Sequence, residues 1–289
     1  MIEIILLVSS ILFIFALKLF GRPSTAHRAN TFAMLAMALA VFSAFNFDFS
    51  KYDSAFYITI VVSGLLGVLI SKRVQMTQMP ELVGLFNGFG GGASGAIAYV
   101  ELSNTSLPIS DVFVAIFSMV IGMFTFSGSL IAVMKLRGKL NNFSTKLGNI
   151  FSVFLPTILI IPAVLEMDTF LNEFIILVAL IAGVIRVAVI GGADMPVVIA
   201  FLNSLSGIAA MSAGFIVNSI ILIVAGALVG ASGIILTLLM CAAMNRTLLD
   251  VLKGGFGTTT TNNEYDNCLL YTSDAADERS SVDLGGRRI

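Results

Sequence analysis

The stretch "MTQMPELVGLFNGFGGGAS", Met76 to Ser94, sets a carboxylate, a carboxamide and a run of glycines into one hydrophobic segment. Hydrocarbon disfavours such side chains unless they face the inside of a helical bundle or a wet cavity. Whether the stretch spans a membrane therefore decides how Glu81 and Asn87 are read, and the composition of the surrounding chain answers that.

The 289 residues are 57% hydrophobic and 11% charged, where a soluble domain carries roughly a quarter charged residues. Mean hydropathy is +1.00. Apolar segments recur at about 18–25 residues, the helix length that crosses about 30 Å of hydrocarbon. The chain reads as an all-α, polytopic transmembrane bundle with nine candidate spans at 2–20, 31–48, 54–71, 79–100, 111–134, 147–165, 170–190, 194–213 and 215–240. Helices are required because each span must pair its own backbone polar groups in lipid. A membrane barrel would instead show alternating segments of about ten residues. The break between the last two spans is the weakest, with only "MSAGFIVNS" between them. The first span is too long for a signal-peptide core and lacks a basic lead-in and a small-residue cleavage site.

Lys and Arg set the orientation. Arg22 and Arg28 follow the first span, Lys72 and Arg73 the third, and Lys135, Arg137, Lys139 and Lys146 the fifth, while Arg246 and Lys253 follow the ninth. Lys51 alone lies in a loop on the other side. This places the N-terminus outside and the C-terminal end in the cytoplasm. Arg186, near the cytoplasmic end of the seventh span, is expected to snorkel to the interface. The net charge of −1 includes no basic patch able to track a phosphate backbone, so nucleic acid is not an expected partner. No internal repeat of the kind that builds inverted-repeat transporters is visible.

Five polar groups stand out at membrane depth: Glu81 and Asn87 in span four, Ser129 of "TFSGSL" in span five, Asp194 and Asn203 in span eight. Glu81 in "MPEL" and Asp194 in "ADMPVV" each sit beside a proline near a helix start. There an acid complements the helix dipole and Pro fits the first turn, so a capping role is expected for both. Asn87 and Asn203 lie about 9 and 14 Å deeper than those acids, at 1.5 Å per residue. They either hydrogen-bond between helices as glue or line a polar path. Gly84, Gly88 and Gly92 recur every four residues, as do Gly91 with Gly95 and Gly226 with Gly230, the spacing that lets helix backbones approach closely. "GGGASG", Gly90 to Gly95, matches the dinucleotide-binding fingerprint but lies within a span rather than between a strand and a helix, so it is discounted.

Cys241 and Cys268 have no metal or redox spacing, and Cys241 reads as a small buried thiol. The single histidine, His27, reads as solvated in a polar loop with Arg22 and Arg28, and no metal site is expected.

"KRVQMTQMPELVGLFNGF", "TFSGSLIAVMKLRGK", "IGGADMPVVIAFLNSLSG" and "GALVGASGIILTLLMCAAMNRTLLDVLKGGFG" together resemble the β subunit of proton-translocating NAD(P) transhydrogenase, over roughly residues 1–257. The resemblance implies coupling of hydride transfer between NAD(H) and NADP(H) to proton translocation, with spans four and eight lining the path. It implies functional roles for Glu81, Ser129, Asp194 and Asn203, and packing or coupling roles for Gly226, Gly230, Gly233 and Arg246. It further implies an inner-membrane location among bacterial lipids, an α-subunit partner carrying the NAD(H) domain, and a dimer of αβ units. The NADP(H)-binding domain would follow residue 257, so no catalytic or cofactor-binding residue is expected in this chain. Many members carry a titratable histidine in span four and an acid before "MPEL", where this sequence has Asn87 and Gln78. A carboxamide does not titrate, so the proton-carrying group is expected from the α subunit.

Residues 258–267 read as the start of a linker to that further domain. The final stretch, "CLLYTSDAADERSSVDLGGRRI" from Cys268, reads as a disordered, translated sequencing adapter. The alternatives are a secondary transporter with a site at Asn87, Asp194 and Asn203, and a structural membrane subunit with no path of its own.

Overall fold

The computed structural model describes residues 2–44, 53–103, 107–140 and 169–252. The expected span at 147–165, the linker and the tail lie outside the described residues. Among the described residues the chain is all-helical: α1 (Ile2–Phe20), α2 (Ala26–Ala44), α3 (Ser54–Arg73), α4 (Met79–Leu102), α5 (Ile109–Leu136), α6 (Thr169–Val189), α7 (Met195–Ile216), α8 (Ile220–Ala243) and the short α9 (Leu248–Leu252). Among the described residues, five stretches are long and apolar enough to cross a membrane: α3, α5, Asn172–Val189 of α6, Gly192–Ile216 including α7, and α8. The protein is a multi-pass membrane protein.

α5 is the hub, touching α4, α6 and α7, while α7 also packs on α4 and α8. The faces that meet are small. α4 buries Gly84, Asn87, Gly88, Gly91, Ser94, Gly95 and Ala98, and turns Val83, Phe86, Phe89 and Val100 outward. This inverts the order of a soluble helix, because lipid solvates the large apolar face and close backbone packing replaces the hydrophobic drive inside. Gly122 of α5 marks the close approach to α4, where a Cβ would lie 2.5 Å from the Gly91 carbonyl oxygen and 2.7 Å from the Gly95 nitrogen. At the α7–α8 crossing, a Cβ on Gly207 would collide with the Gly230 backbone, and one on Gly233 would lie 2.9 Å from Ser204 Cα. The expected packing glycines are all in these seams; Gly122, Gly183 and Gly207, which meet them or their neighbours, were not singled out from sequence.

α1 and α2 form an antiparallel hairpin, with Ser9 and Ala16 of α1 and Ala29, Ala36 and Ser43 of α2 buried at seven-residue intervals. Ser9 Oγ donates to the Ala36 carbonyl at 2.8 Å. A seven-residue repeat keeps one face on the partner in a left-handed crossing. The hairpin reaches the rest of the bundle through α1 against α8, and α3 buries none of its residues.

Several boundaries differ from the sequence reading. α2 begins at Ala26, so His27 is exposed on its first turn rather than in a loop. α7 continues to Ile216, and the break falls at Val217–Ser219, where Asn218 adopts φ 53°. Asn tolerates this left-handed conformation. Gly214, at the boundary between the two expected spans, stays helical and admits the Ile223 nitrogen, 2.7 Å from where its Cβ would be.

Candidate functional site

Asn87 and Asn203 each lie eight residues into their helices, α4 and α7, a depth of about 12 Å at 1.5 Å per residue. Both helices start at the same end of the bundle, so the two carboxamides share a level. Ser129, seven residues before the end of antiparallel α5, arrives at nearly that level.

At this level three helices meet through neutral hydrogen bonds. Asn87 Nδ2 donates to Ser129 Oγ at 2.9 Å, and Ser206 Oγ lies 2.6 Å from Asn87 Oδ1, to which it donates. The same hydroxyl lies 2.9 Å from the Asn203 carbonyl oxygen, and its single proton serves one acceptor at a time. Asn87, Ser129 and Ser206 are all buried. Gly88 makes the first bond possible, since a Cβ there would stand 3.1 Å from Ser129 Cβ. Asn87 retains one N–H and one lone pair for a further partner. Asn87 lines a cleft of about 340 Å³ with Val83, Phe86, Gly90, Asn203 and Ser206.

Asn203 is therefore beside Asn87 across the cleft, but its side chain makes no hydrogen bond among the described residues. The α7 partner of Asn87 is Ser206, which sequence reading missed. Its signal was present in "NSLSG": Ser206 follows Asn203 by one helical turn, on the same face. Ser204, on the neighbouring face, points at Gly233 of α8 and leaves its buried Oγ without a partner.

The ion pairs Glu81–Arg137 and Asp194–Arg246 lie at the end where α4 and α7 begin. Glu81 lies in the first turn of α4 and Asp194 at the N-cap position of α7, each beside a proline in the first turn, where an acid complements the helix dipole. Neither side chain makes a cap hydrogen bond, and each pairs with an arginine instead. Glu81 Oε2 accepts from Arg137 Nε, just past α5, at 2.6 Å. Asp194, 4% exposed, takes both carboxylate oxygens to Arg246 Nη1, at 2.7 and 2.6 Å. A nearby cation neutralises a buried carboxylate more completely than a helix terminus can, since full charge replaces a partial dipole. Arg246 follows α8, so this pair ties the entry of α7 to the exit of α8. Lys135 Nζ donates to the carbonyl oxygens of Ala188 and Ile190 at the end of α6.

Arg186 lies in the last turn of α6. It is half-buried and lines a cavity of about 220 Å³ with Phe124, Val198, Phe201, Leu205 and Leu252, under α9. Cys241 is buried as expected, in the cluster with Ile190, Met195, Val198 and Val251. Among the described residues no group of His, Cys, Asp and Glu could hold a metal ion.

Glycine-lined crossings, a neutral polar seam at depth and ion pairs at one end define the class of this protein as a polytopic helical membrane bundle. The chain belongs to the NAD(P) transhydrogenase beta subunit family, whose model matches residues 2–282. It is 34% identical over 266 residues to the NAD(P) transhydrogenase subunit beta of Rhodospirillum rubrum, an alignment covering 87% of this chain and 57% of that relative. The same subunit from a named strain of that species matches to the same extent. The chain thus spans a little over half the length of the curated relatives it matches.

Proposed function

We propose that this chain forms the proton-translocating membrane part of an NAD(P) transhydrogenase, with nine spans, its N-terminus outside and its C-terminal end in the cytoplasm of a bacterial inner membrane. The observation that carries the reading is the seam in which Asn87 joins Ser129 and Ser206 beside Asn203, on a cleft that leaves part of the Asn87 amide unused. Bundle glue would use the amide fully; an amide with spare hydrogen-bonding capacity can hold water in line.

Such a seam relays hydrogen bonds but holds no proton as charge, because none of its groups titrates near neutral pH. A histidine or carboxylate from the α subunit completes the path at the cleft, with Asn87 and Asn203 positioning its water. Asp194 and Arg246 pass the state of the path to a nucleotide-binding part, where NADP(H) binds, while NAD(H) binds on the α subunit. αβ units pair as a dimer. Hydride transfer belongs to those parts and to no residue of this chain.

The test is Asn87→Leu in the assembled αβ enzyme, reconstituted in vesicles with a pH-sensitive dye inside. Leu keeps the number and branching of heavy atoms and removes both hydrogen bonds, so proton uptake coupled to nucleotide reduction should fall at least tenfold while nucleotide binding persists. Wild-type pumping would show that the path runs elsewhere. Asn87→His should retain coupling, since it restores a donor and an acceptor at the same depth.

A further inference from the structure

α6 ends in a place where water cannot satisfy it. Its last carbonyls have no partner within the helix, as at any helix C-terminus, and Ala188, Val189 and Ile190 are all buried. Buried backbone acceptors require a donor from elsewhere. Lys135 supplies it from α5: its side chain is buried and its ammonium donates to the Ala188 and Ile190 carbonyl oxygens. A cation at this position also complements the negative end of the α6 dipole.

The turn just beyond Ile190 gives this contact its importance. Gly191, Gly192 and Ala193 lead into Asp194, and the Asp194 N–H donates to the Gly191 carbonyl at 3.1 Å. The two glycines have no Cβ, and space around both is open to 4 Å. The turn therefore has almost no side-chain anchor of its own. Its upstream fixed points are the fully buried Ile190 side chain and the Ile190 carbonyl held by Lys135; its downstream one is Met195, fully buried at the start of α7.

We propose that Lys135 is a positioning residue for Asp194: by pegging the Ala188 and Ile190 carbonyls it sets the Gly191–Asp194 turn so that the carboxylate meets Arg246. Two residues further on, Arg137 reaches the opposite way to Glu81 of α4. The end of α5 thus clasps α4 with one cation and α6 with another, and the second clasp is transmitted through the turn to the exit of α8. Its meaning for coupling rests on the proposed relay through Asp194 and Arg246; the geometry it asserts does not.

Cys241 provides the readout. It is 3% exposed, packs in the same cluster as Ile190 and Met195, and its carbonyl accepts from the Arg246 N–H at 3.0 Å. Loosening of the Asp194–Arg246 pair should open this corner and expose the thiol. In the full chain carrying Cys268→Ser, purified in lipid nanodiscs, the rate of Cys241 modification by N-ethylmaleimide is followed by mass spectrometry. Lys135→Met and Asp194→Asn should each raise the rate on the order of tenfold, as expected when a local closure is weakened. Lys135→Arg should stay near the parent, since its guanidinium can still donate to carbonyls. Lys135→Met combined with Asp194→Asn should label no faster than Asp194→Asn alone, because both act through one contact. Should Lys135→Met fail to fold, Lys135→Gln takes its place in the same comparison. Parent-like labelling of the Met or Gln variant overturns the proposal, and so does an additive double variant, which marks general loosening. Failure of the proton-path reading, seen as pumping by Asn87→Leu, leaves these labelling results unchanged, so the two are separable.

Discussion

Around Asn87, α4, α5 and α7 meet through a carboxamide and two hydroxyls, all neutral and all buried. About 12 Å away, where the helices begin or end, the same bundle is tied by Asp194–Arg246, Glu81–Arg137 and the Lys135 ammonium. The neutral seam joins α4, α5 and α7, whereas the charged end joins α4 to α5, α5 to α6 and α7 to α8; both do so with polar groups. Depth explains the difference in chemistry. A full charge near the middle of a bilayer is costly, while at the end of a helix it can be paired and partly hydrated. The neutral seam can adjust its hydrogen bonds without moving charge, as the Ser206 hydroxyl does between Asn87 and Asn203. In the proposed reading the neutral seam carries the path, while the charged end ties helices together and relays the state of that path.

The comparison breaks most readily at Asp194. Asp194→Ala strands Arg246 beside an apolar cluster, and loss of a buried partner to a charged group costs about 2–3 kcal/mol. Unfolding in mixed detergent micelles titrated with sodium dodecyl sulfate should show that loss, and Arg246→Ala should lose a similar amount. If both variants are as stable as the parent, the charged end is not what holds the bundle.

Ser206→Ala probes the neutral seam. It removes one donor to Asn87, and hydrogen bonds between membrane helices are worth about 0.5–2 kcal/mol, so the same titration should show a smaller shift. Its larger effect should be on proton uptake by the assembled enzyme. A stability loss matching Asp194→Ala with unchanged uptake would reverse the roles assigned to the two regions.

Glu81→Gln should be the mildest. The Arg137 side chain is 50% exposed, and a solvent-exposed ion pair contributes below about 1 kcal/mol. Its effect should also shrink as salt is added, whereas the deficit of Asp194→Ala should persist.

Composition alone determined that this chain is a helical membrane protein, because a 57% hydrophobic sequence with polar breaks at span-length intervals has few other ways to satisfy its backbone. Periodicity was nearly as informative: the four-residue glycine spacing around Gly84–Gly95 and Gly226–Gly230 marked faces that do meet other helices. The depth of Asn87 and Asn203 could also be counted along the chain, since helical rise is fixed. Partner choice could not be counted in this way. Ser206 rather than Asn203 reaches Asn87, Arg246 finds Asp194 across 52 residues, and Lys135 spends its charge on backbone carbonyls that have no sequence signature. Those pairings depend on how far each helix is rotated and slid against its neighbours, and that is set by where backbones can touch, as at Gly91 against Gly122 and Gly207 against Gly230. Local sequence fixes what a helix can offer; only the packed bundle fixes what it faces.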